Sequence, residues 1–295
     1  MTGAERGYLL LTSHLGDPGR KVLTTAQLRY LAQRVKEMDS PREDRELSEK
    51  DLLQLGYGRE KARQILELLD QQDLLDHYLF RGKQQGCVPT TRASGEYPGF
   101  LRQRLAEEAP GCLWLKGDVS LLKRPAISLV GSRELRKENR DFAEAVGVFA
   151  AEQGLVLVSG NARGADKAAQ NACLESGGSV ISIVADSLAG HSGKDRVLYI
   201  SEDGYEESFT SQRAHSRNRC IHGLGQMVFV AQSNLKKGGT WQGTCANLRN
   251  GWSPVLCFDD GSEAARALEQ MGAYLIGIEA LSDFCLPSQE QMTIF

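Results

Sequence analysis

Four short stretches of this sequence carry residue types that hold anions. Gly131-Ser132-Arg133 stands directly after the apolar run AISLV. Ser159-Gly160-Asn161-Ala162-Arg163-Gly164-Ala165-Asp166 follows LVLV. Ser216-Arg217-Asn218-Arg219 precedes MVFVA, and Lys236-Lys237-Gly238-Gly239-Thr240-Trp241 follows it. A glycine after a strand lets the backbone approach a ligand closely. Amides at the start of a following helix add partial positive charge. Ser132, Ser159 and Thr240 offer hydroxyls. Arg133, Arg163, Arg217 and Arg219 offer forked donors that match phosphate oxygens. Asp166 opens a helix, where it can take neighbouring amides or a sugar hydroxyl. Trp241 is a candidate for stacking on a nucleobase.

The chemistry these residues suggest is binding. No G-x-G-x-x-G fills the first strand–helix turn, which argues against a dinucleotide dehydrogenase. No G-x-x-x-x-G-K-[ST] follows Gly160, which argues against an NTPase of that type. His215 and His222 flank the Arg217 segment, but nothing in the sequence pairs either with Ser132 or Ser159. Glu202 after YIS could serve as a base or simply as a salt-bridge partner. No catalytic residue is therefore assigned. The five histidines lack metal-ligand spacing, so neither a metal nor a cofactor is expected.

The elements that must position these stretches can be read from periodicity. From Pro125 onward, short continuous apolar runs alternate with helical patterns. Strands are predicted at Ala126–Val130, Leu155–Ser159, Val180–Val184, Val197–Ile200, Met227–Ala231, Val255–Phe258 and Tyr274–Ile276. Helices are predicted at Arg140–Gln153 and Ala165–Ser176. Continuous apolar strands suit burial on both faces. The expected fold is α/β, a Rossmann-like doubly wound, mostly parallel sheet with a small helical N-terminal domain. Ligands on such sheets sit at the carboxyl ends of the strands, where the stretches above lie.

Residues 1–75 read as the helical domain. DLLQLGYGREKARQILELLDQ fits a helix-hairpin-helix pattern around Gly56-Tyr57-Gly58, which can grip a phosphate or serve only for packing. Residues 76–124 form an ordered lead-in with a strand at Cys112–Lys116. The α/β domain occupies 125–284, and 285–295 is a tail.

Composition sets the remaining bounds. The chain has 295 residues and a formal net charge of -3, so any nucleic-acid binding must come from a local basic patch. Seven scattered cysteines without a C-x-x-C pair read as reduced, buried thiols of a cytoplasmic protein. The stretch MTGAERGYLLLTSHLGD lacks the basic start and apolar core of a secretion signal, and no membrane contact is expected.

From about Tyr97 to Gly277 the sequence resembles the DNA-processing protein A family, also called Smf. That family lies within a Rossmann-like superfamily that includes the cytokinin-activating phosphoribohydrolases. The resemblance is carried by YPGFLRQRL, LWLKGDVSLLKRPAISLVGSR, LVLVSGNARGADKAAQNACLESGG, YISE, SRNRCIHGLGQMVFVAQ and GGTWQGTCANLRNG, in that order. It departs from the family pattern at Ala165 and Gln170, where isoleucine and histidine are usual. The resemblance implies a protein that binds single-stranded DNA during uptake and recombination, loads the RecA recombinase and forms a homodimer. It assigns Arg133, Ser159-Gly160, Arg163-Gly164 and Arg217-Asn218-Arg219 to the phosphate pocket. A second reading uses the same pocket for a small nucleotide, as a sensor or a phosphoribohydrolase-like enzyme; Gly238-Gly239-Thr240 resembles the phosphate loop of those enzymes. The terminal Gln291-Met292-Thr293-Ile294-Phe295 resembles the peptide by which bacterial DNA enzymes hold the sliding clamp. There a polar anchor at Gln291 precedes the apolar Met292, Ile294 and Phe295.

Overall fold

The computed structural model describes residues 1–38 and 47–282. In chain order its helices and strands begin with α1 (Gly3–Thr12), α2 (Thr25–Lys36), α3 (Glu49–Gln54), α4 (Arg59–Leu69) and α5 (Gln72–Gln84). Next come β1 (Cys87–Thr91), α6 (Gly99–Leu105), β2 (Cys112–Gly117), β3 (Ala126–Val130), α7 (Lys137–Glu152) and β4 (Val156–Ser159). Then follow α8 (Ala165–Glu175), β5 (Ser179–Ile183), β6 (Val197–Glu202), α9 (Ser211–Ser216), α10 (Asn218–Leu224) and β7 (Val228–Val230). The last are α11 (Gly238–Asn250), β8 (Val255–Phe258), α12 (Glu263–Gln270) and β9 (Tyr274–Ile276).

The strand order is β1-β2-β6-β5-β4-β3-β7-β8-β9. Strand β3 pairs in parallel with β4 and β7, β7 with β8, and β8 with β9. Strand β2 is antiparallel to both β1 and β6. The fold is thus Rossmann-like α/β, with helices at the N-terminus, as the apolar strand runs imply. The antiparallel strands β2 and β6 lie at the predicted strands Cys112–Lys116 and Val197–Ile200, but β1 went unread in the sequence. CVPTT carries a proline and a polar pair where an apolar run would betray a strand, and its Val88 is exposed on the sheet's edge.

Contacts divide the chain into two compact units. One contains Met1–Arg124 and Ile181–Leu224; the other contains Pro125–Val180 and the chain from Gly225. Both are discontinuous in sequence.

The helical part of the first unit is built by capping and by amphipathic stripes. Thr2, Thr24 and Ser48 each close a capping box at the start of α1, α2 and α3. Leu28, Leu31, Leu52, Ala62, Ile65 and Leu68 bury one shared core. Gly56 ends α3 at φ +89°, in the left-handed region that the sequence pattern requires of it. A second nucleus in this unit joins Tyr78, Trp114 and Tyr205. The Tyr78 and Tyr205 rings stack at 4.2 Å, and the Tyr205 hydroxyl donates to the Tyr78 carbonyl at 3.0 Å.

The second unit packs α7 and α8 against its parallel strands. Phe142, Val146, Leu157, Phe229, Leu256 and Phe258 belong to its core. A side chain at Gly147 would stand 2.2 Å from the carbonyl oxygen of Ala169, so glycine permits the close approach of α7 to α8. The six described cysteines are free and buried. Among the described residues no helix is long and apolar enough to cross a membrane. The 291–295 peptide lies outside the described residues.

Candidate functional site

In the second unit, the ends of β3 and β4 and the start of α11 are tied into one loop cluster. Tight backbone packing dictates where the glycines stand. A Cβ on Gly131 would meet the Ala165 Cβ at 2.4 Å. Gly164 has φ +89°, and a Cβ there would lie 2.4 Å from the Ser132 carbonyl oxygen and 2.6 Å from that of Arg133. No side chain fits either position. The loop after β3 therefore lies directly on the start of α8, where the Ala165 amide donates to the Ser132 carbonyl at 3.1 Å. The Thr240 hydroxyl donates to the Gly131 carbonyl at 2.9 Å, which adds the first turn of α11 to the cluster.

The loop after β4 is held by its own side chains. The Ala162 amide donates to the Asp166 carboxylate at 3.1 Å, and the Lys167 ammonium donates to the Asn161 side-chain carbonyl. Asn161 adopts φ +58°, which asparagine tolerates better than most residues. Asp166 thus acts as an anchor of the loop. Ser159 and Gly160 are buried, and the Ser159 hydroxyl makes no hydrogen bond among the described residues.

Donors that face solvent in this cluster come from side chains and from α11. Arg133 is exposed. Arg163 is 78% exposed, and among the described residues its ion-pair contact is a 3.8 Å approach to the still more open Glu134. Helix α11 starts at Gly238 without a side-chain cap, next to the exposed Lys236 and Lys237. Those three features supply positive charge at one loop cluster. Gly238-Gly239-Thr240 form the first turn of α11, and Trp241 sits in that turn, half-buried. The start of α8 contributes less than its sequence suggests, because the Ala165 amide is spent on Ser132 and Asp166 occupies the first turn.

Sequence reasoning missed Gln232. Its side-chain amide donates to the Glu134 carbonyl at 3.1 Å, and its side-chain carbonyl accepts from the Arg136 amide at 3.0 Å. The Ser132 amide donates to its backbone carbonyl at 3.0 Å. A lone glutamine at the end of VFVA was the available signal.

The Arg217-Asn218-Arg219 segment belongs to the first unit, at the junction of α9 and α10. Its arginines face protein acceptors. Arg217 is 8% exposed and donates to the Ile183 carbonyl at 2.6 Å. Arg219 pairs with the Glu202 carboxylate at 2.8 Å and donates to the Glu108 carbonyl at 3.0 Å. Burial, the largest single effect, opposes the Arg219 charge, but Glu202 together with the nearby Cys220, Asp203 and Tyr97 outweighs it and holds the guanidinium above its ordinary value. Asn218 begins α10 and is half-buried. Glu202, read as a base or a salt-bridge partner, is in this structure the partner of Arg219. Arg213, which sequence reasoning left out, donates to Ala185, Glu207 and Ser208 carbonyls and to the Ser201 hydroxyl.

Neither histidine of this segment is set up as a base. His222 is fully buried, and burial lowers its imidazole to about 3, so it is neutral at physiological pH. His215 is exposed. Among the described residues no group of histidine, cysteine or carboxylate side chains is arranged to hold a metal ion.

Comparison with known proteins places this architecture. The DNA processing protein DprA of Streptococcus pneumoniae is 33% identical over 193 residues, spanning 60% of this chain and 68% of the relative. DprA of Bacillus subtilis is 29% identical over 168 residues, and the match spans little more than half of that protein, 56%. The X-ray structure of the Streptococcus pneumoniae protein superposes with a TM-score of 0.73 at 28% identity, over 97% of this chain and 99% of that one. A Helicobacter pylori DprA structure, described for its single-stranded DNA binding mode, shares the fold with a TM-score of 0.55 at 22% identity. That match covers 67% of this chain and 97% of that one. Residues 89–285 match the family described as DNA recombination-mediator protein A, and the chain belongs to that family.

Proposed function

We propose that this chain binds single-stranded DNA and acts in DNA processing during uptake and recombination. The observation that carries this reading is the loop cluster of the second unit. There Arg133 and Arg163 are exposed beside the uncapped, lysine-flanked start of α11, on loops locked by Gly131 and Gly164. Such donors hold backbone phosphates without reading sequence. Ser132, Ser159, Asp166 and Thr240 shape the loops. Trp241 is the local candidate for stacking. Arg217 and Arg219 contribute by holding their own segment, since Arg217 donates to the Ile183 carbonyl and Arg219 to the Glu108 carbonyl and Glu202. Loading of RecA, a homodimeric state, cytoplasmic location and a clamp contact through Gln291–Phe295 complete the proposal. The first three rest on the family, the last on the tail sequence alone.

Binding of an oligothymidylate at two salt concentrations, with duplex DNA and a mononucleotide as competitors, tests this function. Arg133→Ala with Arg163→Ala should weaken binding of all single strands alike. It should also flatten the salt dependence by roughly 1.4 in logarithmic slope, at about 0.7 per lost phosphate contact. Equal binding by wild type and variant, or displacement of the strand by low concentrations of mononucleotide, would overturn it.

A further inference from the structure

The hairpin in the helical part of the first unit has features that the loop cluster does not use. Gly56 turns at φ +89°, and the amides of Gly56 and Tyr57 donate to the Leu53 and Leu52 carbonyls, both at 3.0 Å. This turn sends the Tyr57 side chain toward α2. There its ring meets Tyr30 edge-on at 5.5 Å. The Tyr30 hydroxyl in turn lies 4.0 Å from where a Gly56 Cβ would be.

Between these elements lies a cleft of about 210 Å³, lined by Leu23, Ala26, Tyr30, Tyr57, Lys61 and Ile65, with Gln27 alongside. Leu23 and Ile65 are buried, at 4% and 0% exposure, and form an apolar floor. Tyr30 is 41% exposed and presents its ring to solvent. The Arg34 guanidinium lies over that ring at 5.1 Å. The Tyr57 hydroxyl is buried and makes no hydrogen bond among the described residues.

Lys61 supplies the charge. Its ammonium donates to the neutral Gln64 side chain at 3.0 Å and forms no ion pair among the described residues. Burial lowers it from its ordinary value. An apolar floor, two aromatic rings and an ammonium with no carboxylate partner among the described residues match one chemistry. That chemistry is a flat heterocycle with polar edges, attached to an anion. The volume is below that of pockets that enclose whole small-molecule ligands, and it suits one ring system.

We propose that Tyr30, Tyr57 and Lys61 form a second nucleic-acid contact, in which one unstacked nucleobase of a single strand enters the cleft and an adjacent phosphate meets Lys61. The ring stacks on Tyr30 and lies against the Tyr57 ring. A paired base cannot enter, because its edge and both faces are covered in a duplex. The contact goes beyond the loop cluster and rests on the same reading, that the ligand is single-stranded DNA.

The test uses the full chain and a thymidine oligonucleotide of about 30 residues, long enough to reach several contacts at the site sizes of single-strand binders. Tyr30→Ala should weaken binding roughly 5- to 150-fold, the range for loss of one stacked base. Tyr30→Phe should bind like wild type. Lys61→Gln should weaken binding less and flatten its salt dependence. With 5-iodouracil in the strand, photocrosslinks should map to Tyr30 or Tyr57. Tyr30→Ala and Lys61→Gln within twofold of wild type, or crosslinks confined to other residues, overturn the proposal. So does an equal loss of duplex binding in Tyr30→Ala. If Arg133→Ala with Arg163→Ala abolishes binding while Tyr30→Ala does not, only the cleft contact falls. If the wild type binds no single strand, both fall.

Discussion

Replacing Arg219 with alanine removes a guanidinium held by four protein acceptors, one of them the Ser216 hydroxyl. It pairs with Glu202 at 2.8 Å, and it donates to the Glu108 carbonyl at 3.0 Å and the Ser216 carbonyl at 3.1 Å. The side chains of Arg219 and Glu202 are 18% and 8% exposed. In the variant, the Glu202 carboxylate keeps one weak donor, the Cys220 thiol at 3.2 Å. Leaving a buried charge without its partner costs about 3–5 kcal/mol. For a chain of this size, at about 2 °C per kcal/mol, Tm should fall by about 6–10 °C. Glu202→Gln in the same chain should restore part of the loss, because it removes the stranded charge. A double-mutant cycle on Tm measures this coupling. Single-strand affinity, measured well below the variant's Tm, should stay close to wild type. An unchanged Tm together with lost DNA binding would refute the reasoning and place the Arg219 guanidinium on a phosphate.

Gly164→Ala forces a Cβ to 2.4 Å from the Ser132 carbonyl oxygen and puts a non-glycine residue at φ +89°. The strained backbone alone costs about 1–3 kcal/mol. The variant should lose stability and single-strand affinity together, and intact affinity would show that the loop after β3 needs no exact placement. His14 supplies a pH test. Its Nδ1 lies 3.2 Å from Glu207 Oε1, and that carboxylate raises the imidazole above its ordinary value against the effect of burial. A raised folded value stabilises fully below the unfolded value of about 6.5 and loses that contribution as pH rises through the folded value. His14→Ala should therefore lower Tm more at pH 6 than at pH 9, and an equal loss at both would rule out the ion pair.

Much of the fold was legible because apolar periodicity survives in a single sequence. The runs AISLV, LVLV and MVFVA mark β3, β4 and β7, and Gly131 and Gly164 stand where the loop after β3 passes close to the start of α8. Strand β1 was not legible. CVPTT pairs only along one edge and so needs no continuous apolar face. The hairpin around Gly56 was legible as a turn, whereas the Tyr30–Tyr57 pairing was not, because it joins residues from α2 and from the turn between α3 and α4.

The sequence by itself determined the layered α/β class, which follows from a local rule, the period of burial. The space available to a Cβ at Gly131, Gly147 and Gly164 was set by residues distant in sequence. What each arginine does was decided by tertiary structure alone. In the sequence Arg133, Arg163, Arg217 and Arg219 are equivalent donors beside loops. In the fold Arg133 and Arg163 face solvent, while Arg217 and Arg219 meet the Ile183 carbonyl and the Glu202 carboxylate. Ile183 and Glu202 lie in β5 and β6, well before the arginines in the chain. A guanidinium binds whichever acceptor the packing brings near, and only the folded chain states which acceptor that is.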